Sequence, residues 1–96
     1  MSCNFFSYLE PLSKLFALER LILSGNYNDG RISDVGCLRN LRNLVDLNLS
    51  NNKVSDIRAT KHMKKLRKLS FLCNEISDIS ALENLINLVS LNLASN

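Results

Sequence analysis

The chain repeats itself every 22 residues, and this constrains its fold more than any other feature. Leu44, Leu66 and Leu88 open three copies: LVDLNLSNNKVSDIRATKHMKK, LRKLSFLCNEISDISALENLIN and LVSLNLASN. An earlier copy, LERLILSGN, opens at Leu18, 26 residues before Leu44. Each copy carries L-x-x-L-x-L-x-x-N, with Phe71 in one leucine position. Repeats of this length cannot each bury an apolar face alone, so they must stack.

Each copy divides in two. Leu47 and Leu49 alternate with Asp46, Asn48 and Ser50, which predicts a short strand with leucines inward. Leu21 with Leu23, Leu69 with Phe71, and Leu91 with Leu93 read the same way. In the second half, Ile79, Leu82, Leu85 and Leu88 recur every third position. That period suits a 3₁₀ or very short helical turn. Twenty-two residues are enough for a strand and a parallel crossover. The expected fold class is α/β: a solenoid with short parallel strands on one face and short 3₁₀ or helical turns on the other. Residues 1–96 form one domain. Residues 6–17 match the back half of a repeat and are expected to cap the N-terminal end, with Leu9, Leu12 and Leu15 in register with Val35, Leu38 and Leu41. Repeats begin near 18, 44 and 66, with a partial one at 88.

Asn26, Asn52, Asn74 and Asn96 stand where each strand turns into its loop. Side-chain amides there can pair with backbone groups of their own turn and the next. The pairs Ser33-Asp34, Ser55-Asp56 and Ser77-Asp78 are expected to cap the following turns. These polar residues are read as structural.

The pattern L-x-x-L-x-L-x-x-N-x-[IV]-S-D-I at this period resembles the leucine-rich repeat class found in a regulatory subunit of protein phosphatase-1, an axonemal dynein light chain and bacterial internalins. The resemblance covers residues 6–96. It implies a curved solenoid whose concave strand face binds a protein, and no catalytic residues belong to the class.

If the strand face binds a partner, its contacts fall in three columns. They are Arg20, Asp46, Lys68 and Ser90; Ile22, Asn48, Ser70 and Asn92; and Ser24, Ser50, Leu72 and Ala94. Arg20, Asp46 and Lys68 alternate in sign and read either as a surface salt-bridge ladder or as a polar rim around Ile22 and Leu72. Tyr27 lies in a four-residue insertion unique to the first repeat, a tolerated surface loop or a further contact.

The net charge of +3 decides little, but its distribution is uneven. Arg58, Lys61, Lys64, Lys65, Arg67 and Lys68 fall within eleven residues, uninterrupted by an acid. A solvated convex face is the plain reading. An acidic protein surface comes next, and nucleic acid or an anionic membrane ranks behind both. In the same segment Thr60 and Met63 replace leucines, making this the expected soft layer. His62 has no ligand partner at a metal-binding spacing, and no cofactor loop or catalytic pairing is present, so neither enzyme nor metal or cofactor binding is expected.

Cys3, Cys37 and Cys73 lie 34 and 36 residues apart, which is neither a disulfide framework nor a metal motif. Reduced thiols are expected, with Cys37 buried and Cys73 the more exposed. With no basic and apolar leader in MSCNFFSYLEP, a cytoplasmic or otherwise intracellular protein is expected. The reading is therefore a protein-interaction module, as a regulatory or scaffold subunit. The alternatives are an internalin-like surface adhesin, and binding of an acidic protein or nucleic acid through residues 58–68. The strand beginning at Leu88 has no following half-repeat, so its edge is a candidate for self-association.

Overall fold

A computed structural model describes residues 9–25 and 32–96. Asn26, the Tyr27 insertion, Cys3 and the first residues of the expected cap lie outside this range. Four strands, β1 (Arg20–Ile22), β2 (Asp46–Asn48), β3 (Lys68–Ser70) and β4 (Ser90–Asn92), alternate with 3₁₀ turns η1 (Glu10–Leu12), η2 (Gly36–Leu38), η3 (Arg58–His62) and η4 (Ser80–Leu82). The strands form one parallel sheet in the order β1-β2-β3-β4. Arg20, Asp46, Lys68 and Ser90 stand in register, as do Leu21, Leu47, Leu69 and Leu91. The expected α/β solenoid is what the chain forms.

The core is a stack of leucine layers. Leu47, Leu49, Leu38, Leu41 and Leu44 are buried, as are Leu66, Leu69 and Phe71 one layer on. Burying one such side chain stabilises by about 1.5–3 kcal/mol. The layer with Thr60 and Met63 is closed: both are buried, and the Thr60 hydroxyl donates to the Ile57 carbonyl at 2.7 Å. A hydroxyl in a leucine position is thus satisfied by its own turn. The more open layers are at the ends. Ile79 is 52% exposed, whereas its counterparts Val35 and Ile57 are buried beneath a following layer. Leu91 is exposed on the free side of β4, and Leu88 and Leu93 are half-buried. Leu15, expected in the core with Leu41, is exposed instead.

The asparagine column ties the layers together. Asn52 donates its amide to its own turn at Leu49 O (3.0 Å) and to Leu23 O of the preceding layer (3.0 Å), and its Oδ1 accepts the Ile32 N–H (3.3 Å). Asn74 repeats this with Phe71 O (3.1 Å), Leu49 O (2.9 Å) and the Val54 N–H (2.9 Å). Asn96 repeats it with Leu93 O (2.8 Å), Phe71 O (2.9 Å) and the Ile76 N–H (3.0 Å). The residue before each is left-handed: Asn51 (φ 59°), Cys73 (φ 56°) and Ser95 (φ 59°). None is glycine, so the turn bears a steric cost of about 1 kcal/mol at each. This reversal precedes each asparagine that reaches back to its neighbour.

The turn capping differs in one detail from expectation. Asp34, Asp56 and Asp78 accept the N–H groups of Gly36 (2.8 Å), Arg58 (3.0 Å) and Ser80 (2.9 Å). The paired Ser33, Ser55 and Ser77 are exposed. The carboxylate two residues ahead of the amide makes an Asx-type turn, and the serine is not needed for it.

Replacing Asn74 with Ala orphans the buried Val54 N–H, at about 1–3 kcal/mol, and leaves the Leu49 and Phe71 carbonyls with one amide donor each, from Asn52 and Asn96. Denaturant unfolding of Asn74→Ala is expected to show a loss of about 2 kcal/mol. Asn96→Ala, at an exposed position, is expected to cost ~1 kcal/mol or less. Equal losses at the two positions contradict the ladder's dependence on burial.

Candidate functional site on the strand face

The pleat turns positions 20, 46, 68 and 90 outward, together with 22, 48, 70 and 92. Arg20, Ile22, Lys68, Ser90 and Asn92 are exposed, while Asp46, Asn48, Ser70 and Leu72 are half-buried. Arg20 Nε lies 3.6 Å from Asp46 Oδ2. No ion pair joins Asp46 to Lys68 among the described residues. The expected three-member ladder is therefore one pair, and Lys68 keeps an uncompensated charge on this face.

Beside the charged column lies a small polar floor. Asn48 Oδ1 accepts the Ser50 hydroxyl (2.6 Å) and backbone N–H (3.0 Å), and more weakly the Ser24 hydroxyl (3.4 Å). The Ser50 and Ser70 hydroxyls are 2.8 Å apart. Ser50 is buried, so it is not the outward contact that alternation predicted. It holds Asn48 and Ser70 in place. On β4, Asn92 Oδ1 accepts the Ala94 N–H at 3.0 Å. Tyr27, the expected loop contact, lies outside the described residues.

The basic segment does not gather on one face. Arg58 is spent on Asp56, with Nη2 to Oδ2 at 2.7 Å. Lys65 Nζ donates to Asn43 Oδ1 at 2.8 Å, on the edge where each turn returns to the next strand. Lys61, Lys64 and Arg67 are exposed, and Lys68 stands on the strand face. A second asparagine column, absent from the sequence reading, runs along that return edge. Asn43 donates to Phe16 O (2.8 Å) and Asn87 to Lys64 O (2.9 Å). The spacing of 44 residues was its signal, hidden because Lys65 fills the middle position.

No family model matches the sequence, and no curated protein matches it. Solved structures do. An internalin C2 from Listeria monocytogenes str. 4b F2365 superposes with TM-score 0.80 at 31% identity, over 90% of this chain and 37% of that one. An internalin (inlF) from the same strain gives TM-score 0.72 at 30% identity, over 91% of this chain and 30% of its own. The chain is a leucine-rich repeat protein. It spans about a third of the length of the two internalins it matches.

Two cysteines of this repeat protein differ in state. Cys73 is a free, half-buried thiol in the turn before Asn74. Cys37 is buried and disulfide-bonded, where a reduced thiol was expected. Its spacings of 34 and 36 residues from the other two cysteines carry no pairing signal. No group of three or more His, Cys, Asp or Glu residues is placed to hold a metal among the described residues. No helix among them is long and apolar enough to cross a membrane.

The Arg58 side chain, and then its backbone N–H, hold the Asp56 carboxyl below its ordinary pKa. Asp78 is lowered by the Ser80 backbone N–H and then the Ser80 side chain. A carboxyl lowered on folding favours the native state above its unfolded pKa. That contribution fades as pH falls through the folded pKa. Both groups are exposed, so the effect on stability is small. An NMR titration is expected to put the Asp56 midpoint below that of the unfolded chain, and Arg58→Gln to raise it. An unchanged midpoint in that variant contradicts the pairing.

Proposed function

We propose that the protein is a binding module for another protein, engaged through the concave strand face as a scaffold or regulatory subunit. The observation that carries this is the internal bonding of the polar floor. Asn48, Ser50 and Ser70 meet one another's hydrogen-bonding needs. A partner covering them need not replace many bonds to water. What remains for contact is Ile22 with Arg20 on one side and Lys68, Ser90 and Asn92 on the other, all exposed and fixed by strand pairing. A rigid face that loses little freedom on binding keeps more of its contact energy. Arginine is among the residues that most often dominate binding energy at protein interfaces.

A second reading is favoured by two observations. The matched structures are internalins, and Cys37 is disulfide-bonded. Disulfides persist in oxidising compartments. An exported protein that presents the same strand face outside the cell fits both. The alternative is an intracellular module that presents the same face.

The test is capture of partners from extract by the wild-type chain beside Ile22→Glu and Ile22→Glu/Leu72→Glu, each checked for folding by circular dichroism. Both variants are expected to lose the partner, with affinity falling at least about tenfold. The single variant is informative even if the half-buried Leu72 site disturbs the fold. Retention of the partner by folded Ile22→Glu overturns the strand-face reading. A captured protein exposed on cell surfaces favours the exported reading, and a cytosolic one the intracellular reading.

A further inference from the structure

The return edge, where each 3₁₀ turn leads into the next strand, carries a pattern of its own. Asn43 and Asn87 donate to the carbonyls of Phe16 and Lys64, which fixes the register along it. One column reads Phe16, Arg42, Lys64 and Ile86, and all four are exposed. Three positions on, the next reads Glu19, Val45, Arg67 and Val89. Ile86 is 86% exposed, Val89 74% and Phe16 54%, and the first two are the most exposed large apolar residues described.

Stacking a further layer does not cover the Ile86 position. Arg42 and Lys64 stay exposed with a layer stacked on each. Ile79 and Leu91 differ, because their counterparts Ile57 and Leu69 are buried by the next layer. Ile86 is therefore an apolar residue at a place the two middle layers fill with cations. A solvent-facing turn has no use for it.

The cations between these apolar ends stand in two layers that hold no acid of their own, with Glu19 and Glu83 in the layers on either side. The segments 35–45 and 57–67 contain no Asp or Glu, and Arg42, Lys64, Lys65 and Arg67 lie along this edge, whereas Lys61 belongs to η3 and Arg58 is paired with Asp56. Asp34, Asp56, Glu75 and Asp78 all follow the strands instead, on the opposite edge. Lys65 and Arg67 line one shallow, open groove with Ile86 and Val89. The edge thus combines protruding aliphatic and aromatic side chains with a band of basic ones.

We propose that this return edge is an attachment surface for an anionic lipid membrane. Protruding apolar side chains find an environment at the boundary of headgroups and acyl chains, and the flanking Lys and Arg are drawn to anionic headgroups. A polyphosphate chain would satisfy the cations but leave Ile86 and Val89 in water. An acidic peptide would need an enclosed pocket to bury an apolar anchor, and this groove is open. The strand face stays clear of the contact, so membrane and protein partner can be held together.

The test is co-sedimentation with phosphatidylcholine vesicles with and without phosphatidylserine, at low and high salt. Binding is expected only with phosphatidylserine, and it should weaken as salt rises. Arg42→Glu/Lys64→Glu is expected to weaken it more than about tenfold, and Ile86→Ser/Val89→Ser about tenfold. All four positions are exposed or nearly so, and circular dichroism checks each fold. Ile22→Glu is expected to bind vesicles as wild type does, which separates this site from the strand face. Failure to bind phosphatidylserine vesicles overturns the proposal. So does unchanged binding by Ile86→Ser/Val89→Ser, or equal affinity for soluble polyglutamate or an oligonucleotide, since either outcome reduces the edge to a site for charge alone.

Discussion

Everything in this molecule depends on a buried amide that bonds two layers at once. Asn52 and Asn74 each close their own turn and reach carbonyl and N–H groups of the layer before. A turn after a short strand leaves backbone groups that cannot find partners within the layer. Buried and unmet, each would cost about 1–3 kcal/mol. One asparagine per layer meets several of them. It also fixes how far one layer can slide or rotate against the next. The strand register and the leucine stack follow from that restriction, because a shifted layer would break the amide's bonds and expose its leucines.

This division of labour leaves other positions free. Leucines face inward, asparagines and aspartates hold the turns, and the exposed strand positions and the return-edge positions beside Asn43 and Asn87 carry no structural duty of that kind. There the copies diverge: Arg20, Asp46, Lys68 and Ser90 share one column, and Phe16, Arg42, Lys64 and Ile86 share another. Divergence among copies that must otherwise agree is where recognition can be written. The two faces differ in chemistry. The strand face is a bonded polar floor with one aliphatic and a few charges, suited to a folded protein surface. The return edge is cationic with apolar ends, suited to a lipid boundary.

Much of this was legible in the sequence for a physical reason. A 22-residue repeat and a stacking requirement leave few folds, so strand register, 3₁₀ turns and the asparagine column could be read from spacing. What escaped depends on local competition between neighbours. Ser50 alternates as an outward residue, but Asn48 Oδ1 draws its hydroxyl down at 2.6 Å and buries it. Ser-Asp looked like a capping pair, yet the carboxylate alone reaches the amide. Lys65 interrupts the Asn43 and Asn87 column, so a pattern search passes over it. Thr60 seemed a weak core residue until its own turn supplied an acceptor. The spacing of the cysteines gives no sign of the disulfide at Cys37. Leu15 and Ile79 matched core positions in register but lie in end layers that are covered on one side.

Native-state hydrogen exchange, resolved by residue, tests the asparagine ladder most directly. The amides of Val54 and Ile32 are bonded to side chains of the following layer, whereas those of Leu49 and Phe71 are bonded within the sheet. If the ladder couples layers as described, Val54 and Leu49 will exchange with the same free energy, that of opening both layers together. Rapid exchange at Val54 beside a protected Leu49 would show that the turns open independently of the sheet, and the asparagines would then be decoration on a stack held by leucine alone.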